Sequence, residues 1–177
     1  MKPLTILLLR HADKPGPDTG AGVDAQGRHD ADSLSVRGWQ RAGALALLLS
    51  GHGAAPTPQA LFASAARTGS RRSGQTVAAL AAKLGLEIDD RLGKGEEVQL
   101  AELILGRGGV LAVCWQHEGL PAIARHVLGD AAPPDLPAAW PESRYDMLWQ
   151  LQREAQGWTF RQLPQMLLAG DTDAPIA

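Results

Sequence analysis

The chain has 177 residues, of which 45% are hydrophobic and 20% charged, and its formal net charge is −2. That size and composition fit one compact domain spanning residues 1–177, and the charge gives no general attraction for nucleic acid or an anionic membrane. The single cysteine, Cys114, excludes an internal disulfide framework and a cysteine-only zinc cluster.

Residues 4–9, LTILLL, carry apolar side chains on both alternating faces, which predicts a strand covered on both sides. This apolar start lacks the small-residue cleavage site of a signal peptide. No run reaches the ~18 apolar residues of a membrane span, so a cytoplasmic location is expected. Residues 12–33 are rich in Gly, Pro and Asp and read as a long irregular loop, which ordered domains seldom carry without a functional reason or local disorder. Ser35 then predicts a helix cap, with Trp39, Ala42, Leu45, Ala46 and Leu49 on one face of the helix that follows.

Residues 60–63 read as a short strand, and residues 72–84 as a helix stopped by Gly85. Residues 86–88 suggest a brief edge strand, and residues 96–105 a third helix with acidic residues in its first turn. A second apolar strand follows at 110–115, then a helix from near Pro121 to Leu128. Residues 145–151 and 158–161, joined by a turn at Gln156-Gly157, predict a late hairpin. Strands alternating with helices give an α/β fold: a three-layer sandwich with a mostly parallel central sheet. The hairpin is expected to add antiparallel strands at an edge of that sheet.

The chemistry concentrates at strand ends. The first strand stops at Arg10-His11 and the second apolar strand leads into His117. Open α/β sheets bind ligands at the carboxyl ends of their strands. An imidazole held rigidly there can attack phosphorus if one ring nitrogen is a fixed donor and the other is bare. Residues 64–76, SAARTGSRRSGQT, add arginines and hydroxyls at a helix start, a pattern suited to gripping phosphate. Arg10, two histidines and this segment together predict a phosphoryl-transfer site.

Metal is not expected. Pro121 occupies the place where a His-Glu-x-x-His helix would need its second histidine, and His29, His52 and His126 lack ligand-like grouping. Gly93-Lys94-Gly95 is not a Walker loop, and no basic-aromatic interleaving marks a nucleic-acid platform.

These residues resemble the histidine phosphatase superfamily, also called phosphoglycerate mutase-like. Arg10-His11-Ala12 looks like its Arg-His-Gly/Ala signature. Leu34-Ser35-Val36-Arg37-Gly38-Trp39-Gln40-Arg41-Ala42 is similar to its Leu-Ser-x-x-Gly-x-x-Gln/Arg-Ala helix start. Arg72-Ser73-Gly74-Gln75-Thr76 matches its Arg-x-x-Gln-Thr element, and His117 falls where the family keeps a second histidine. The resemblance runs to about residue 128, and in length the chain is most like the short bacterial phosphohistidine phosphatases. It departs from the pattern at Thr68, where a serine is usual, and at Glu118, where glycine is common after the histidine. Arg71 or Arg67 is an alternative to Arg72 as the second phosphate arginine.

The resemblance implies a cofactor-independent phosphatase. His11 is the transiently phosphorylated nucleophile, with Arg10, Arg72 and His117 around the phosphate oxygens. Glu96, Glu97 and Asp13 are the candidates for a proton donor, and a phosphoramidate or acyl phosphate needs none. The expected partner is a small phosphorylated substrate or a phosphoprotein; the oligomeric state is left open. A phosphomutase is the nearest rival, disfavoured because the chain has no room for the insertion that carries the mutases' proton donor. A non-catalytic phospho-ligand or protein-binding module is the rival from another class.

Overall fold

The computed structural model describes residues 2–68 and 70–177, with Thr68 described by its main chain only, so the expectation at its side chain lies outside the described atoms. Strand β1 is Leu4–Arg10. Its side chains alternate between two cores: Leu4, Ile6 and Leu8 face one, and Leu7 and Leu9 face the other. A strand covered on both sides has no polar face, which is why the run reads as continuous rather than alternating.

Helix α1 is Val36–Leu47, capped by Ser35, whose hydroxyl accepts from the Gly38 amide at 3.0 Å. It ends two residues sooner than the apolar pattern implies, because the chain kinks through Leu48–His52, with Gly51 at φ 92°. Leu49 is nonetheless fully buried. Strand β2 is Ala60–Ala63 and helix α2 is Arg72–Leu84, both as read from the sequence. Gly85 takes the left-handed conformation (φ 66°) and closes α2. The Leu86 amide also folds back onto the Ala81 carbonyl, so Leu86 belongs to the helix cap. Strand β3 is accordingly shorter and later than expected, only Ile88–Asp89.

Helix α3 is Glu97–Leu105, strand β4 is Gly109–Trp115 and helix α4 is Leu120–Leu128. The hairpin strands β5 (Met147–Glu154) and β6 (Gly157–Pro164) are longer than the alternation suggests, and the turn between them is Ala155-Gln156. Tyr145 and Asp146 stay outside β5 because other groups claim their side chains. Arg144 and the Thr172 amide bind the Asp146 carboxylate, while the Tyr145 ring lies against Arg10.

The six strands form one sheet in the order β3-β2-β4-β1-β5-β6. β3, β2, β4 and β1 run parallel, and β5 and β6 add antiparallel partners beyond β1. Residues of α1 and α2 pack with Leu7, Leu9, Ala112 and Cys114 on one face. Those of α3 and α4 pack with Ile6, Leu8, Val113 and Trp115 on the other. This is the three-layer α/β architecture expected from the order of elements. Among the described residues no helix is long and apolar enough to cross a membrane.

The loop at 12–33 is a folded unit. Short bridges pair Gly16 with Gly20, Val23 with His29 and Gly22 with Ser35, and the Trp39 indole donates to the Val23 carbonyl at 2.9 Å.

Candidate active site

Pairing of β1 with β4 sets Arg10 beside Trp115, and the His11 amide donates to the Trp115 carbonyl at 3.1 Å. The residues following the two strands therefore emerge side by side. One cleft of about 340 Å³ at this end is lined by Arg10, His11, Arg72 and His117, the four residues expected there. Lys14, Lys94, Ser70, Gln116, Glu118 and Glu142 complete it. Four fixed cations against two carboxylates make it a cationic pocket.

The His11 ring is buried, and its Nδ1 lies 2.8 Å from the Ala12 carbonyl oxygen. A carbonyl can only accept, so Nδ1 carries the proton and Nε2 keeps its lone pair. Burial pushes the His11 pKa down to about 3. Arg10, Arg72 and His117 act in the same sense, against the Ala12 carbonyl, which favours the charged ring. His11 is thus a neutral imidazole of one tautomer at ordinary pH.

The Ala12 amide is held as well. It donates to Thr76 Oγ1 at 2.8 Å, and that hydroxyl donates to the Arg72 carbonyl at 2.7 Å. Thr76 thereby ties the end of β1 to the first turn of α2. Gln75 does the same for the loop, accepting from the Leu34 amide and donating to the Ser33 hydroxyl.

Arg72 is pinned by that loop. Its Nη2 donates to the Ala31 carbonyl at 2.7 Å and its Nε to Ser33 at 3.2 Å. Arg71, one residue earlier, turns outward to Asp30, and Arg67 reaches the Arg91 carbonyl and Glu96. Neither lines the cleft. Arg10 is almost wholly buried, donating through Nη1 to the carbonyls of Glu142 and Arg144. Its Nη2 meets the Tyr145 hydroxyl at 3.2 Å, and the guanidinium lies 3.9 Å from the centre of that ring.

His117 Nδ1 sits 3.2 Å from a carboxylate oxygen of Glu118. Burial, then the charge of Arg10, lowers the His117 pKa, with Glu118 opposing. Beside it, Gln116 donates to the buried Ser64 hydroxyl at 2.7 Å.

None of the three expected proton donors lines the cleft. Both oxygens of Asp13 are taken, by Arg37 at 3.1 Å and Arg41 at 2.7 Å. Glu97 accepts from the Trp115 indole and the Gly95 amide, and Glu96 from the Gly93 amide. The carboxylates that do line it are Glu118 and Glu142, paired with Lys94 and Lys14. Glu142 lies below the usual range because Lys14 binds it. Burial works to raise Glu118, but its own amide, Lys94 and His117 outweigh that and hold it low. Both are carboxylates at neutral pH. Sequence reasoning missed Lys14, Lys94, Tyr145 and Glu142; only Lys14, four residues past Arg10, stood close enough to the signature to be noticed.

A second cleft of about 500 Å³ shares Lys14 and Glu142 with the first and is walled by Pro15, Pro17, Tyr145 and Gly170.

No protein-family model matches the sequence, and no curated protein matches it significantly. Solved structures do match in fold. A protein described as a phosphohistidine phosphatase SixA from Nakamurella multipartitia superposes with a TM-score of 0.58 at 20% identity, over 93% of this chain and 98% of its own. The protein histidine phosphatase SixA in complex with tungstate gives 0.58 at 14% identity, over 91% and 97%. Phosphoglycerate mutase from Plasmodium falciparum gives 0.58 at 12% identity, over 99% and 100%. This chain shares the fold of these phosphatases and of the mutase.

Proposed function

We propose that the protein is a phosphatase that hydrolyses a phosphomonoester or phosphoramidate through a phosphohistidine on His11. One observation carries the reading: the Ala12 carbonyl holds the proton on Nδ1 of a buried neutral imidazole, in a cleft shared with Arg10, Arg72 and His117. Nε2 attacks phosphorus in line, the bond to the leaving group breaks, and its electron pair departs with that group. The two guanidiniums and His117 stabilise the charge spread over the equatorial oxygens. Water then attacks the phosphorus of phospho-His11, releasing phosphate and regenerating Nε2. The tungstate complex of the structurally similar protein histidine phosphatase supports an oxyanion site on this fold.

The state of the carboxylates favours the phosphoramidate. Glu118 and Glu142 are ionised and paired, so an alkoxide leaving group would find no ready proton among them. In a phosphoramidate the leaving amine or imidazole is protonated by solvent before the P–N bond breaks, so it departs neutral with no acid from the protein. The substrate is a small phosphorylated molecule or a phosphorylated protein side chain.

The reading is tested with an activated aryl phosphate and a phosphoramidate as substrates. His11→Ala is expected to abolish turnover and the acid-labile, alkali-stable phosphoenzyme trapped by rapid quench. Full activity in His11→Ala would overturn the mechanism.

A further inference from the structure

The segment after β6 reaches back to the nucleophile. Asp171 binds Arg41 through both carboxylate oxygens, at 2.8 and 2.9 Å, and Arg41 Nε donates to Asp13 at 2.7 Å. The side chains of Asp13, Arg41 and Asp171 are each no more than 4% exposed. The other oxygen of Asp13 takes Arg37 Nε, and Arg37 Nη2 donates to the Ala169 carbonyl at 2.7 Å. Both arginines that grip Asp13 are therefore held by residues 169–171. Asp171 is itself fixed by the amides of Leu167 and Leu168.

Asp13 is gripped by its main chain too. Its carbonyl accepts from the Ser35 amide and the Ser35 hydroxyl, each at 3.0 Å. Gly38 lies so close that any Cβ there would collide with that carbonyl. The Ala12 carbonyl and the Asp13 nitrogen belong to one planar peptide unit, so immobilising Asp13 fixes the direction in which the Ala12 oxygen points. That oxygen holds the His11 Nδ1 proton.

We propose that Asp171 is a positioning residue for the nucleophile, acting through Arg41 and Asp13 on the carbonyl that sets the His11 tautomer. A buried charged triad is an expensive way to gain stability, since apolar side chains of similar volume often do as well or better. Here its chain of contacts ends at the peptide unit that orients the imidazole. The effect on turnover rests on the phosphohistidine reading; the effect on the tautomer does not.

The test is Asp171→Asn in the full chain, read by nitrogen NMR of the His11 imidazole and by steady-state kinetics. The parent protein is expected to show a single His11 tautomer protonated at Nδ1, and the variant a mixture. With misorientation of this kind, kcat falls by about tenfold to a hundredfold while KM stays within about twofold. Arg37→Gln, which loosens the more exposed grip, serves if Asp171→Asn does not fold, and is expected to shift the tautomer in the same direction. A folded variant with an unchanged tautomer overturns the proposal. If the parent protein hydrolyses no phosphorylated compound, the phosphatase reading fails while the tautomer result still decides this one.

Discussion

Acid stability offers a test of the buried imidazole that needs no substrate. The perturbation is His11→Gln, which removes the titrating ring but keeps a side-chain amide able to donate to the Ala12 carbonyl. In the folded protein His11 binds its second proton only near pH 3, whereas in the unfolded chain it does so near 6.5. Between those values the unfolded state takes up a proton that the folded state refuses, so the His11 contribution to stability is intact above 6.5 and is lost as the pH falls toward 3. At pH 4.5 the loss on this account is about 3 kcal/mol relative to pH 7. Urea unfolding of both proteins at the two pH values measures it. The parent protein is expected to lose about 3 kcal/mol more than His11→Gln, because the carboxylates and His117 titrate in both. Parallel losses would refute the claim that burial keeps this imidazole neutral, and with it the reason for a bare Nε2.

Other substitutions separate neighbouring residues. Arg72→Ala is expected to weaken vanadate binding by about tenfold to a hundredfold, the worth of a charge-assisted hydrogen bond. Arg71→Ala is expected to change it by less than about twofold, because Arg71 faces Asp30 and solvent. Titration calorimetry distinguishes the two, and the reverse order would shift the phosphate arginine by one residue. Gly38→Ala is expected to cost about 1–3 kcal/mol in urea unfolding, since the methyl group must displace the Asp13 main chain or the helix start. An unchanged midpoint would show that this contact has slack.

The elements that read well from the sequence are those whose signals are local. β1 and β4 are buried on both faces and so carry apolar side chains on both, Ser35 announces α1 with its own hydroxyl, and Gly85 ends α2 where it must. The four cleft residues were legible because each sits at the end or start of such an element. What stayed hidden depends on long-range contacts. Arg41 and Asp171 are 130 residues apart, and no local pattern relates them. Residues 145–146 alternate like a strand, but the Tyr145 ring and the Asp146 carboxylate are claimed from outside it, and that claim overrides propensity. Glu96 and Glu97 were attractive proton donors by position. At a helix start, however, carboxylates are drawn to free amides, and both are spent on Gly93 and Gly95. Which of Arg67, Arg71 and Arg72 lines the cleft depends on side-chain direction, which a string of letters does not carry.

Tyr145 is the only tyrosine in the chain, and it lies against Arg10 with its ring centre 6.2 Å from that of His11. Uniform labelling with fluorotyrosine would therefore give one fluorine signal, sited in the wall of the second cleft beside Arg10 and free of overlap. Each oxyanion, substrate or variant could then be followed by a single resonance, in a protein that needs no engineered probe.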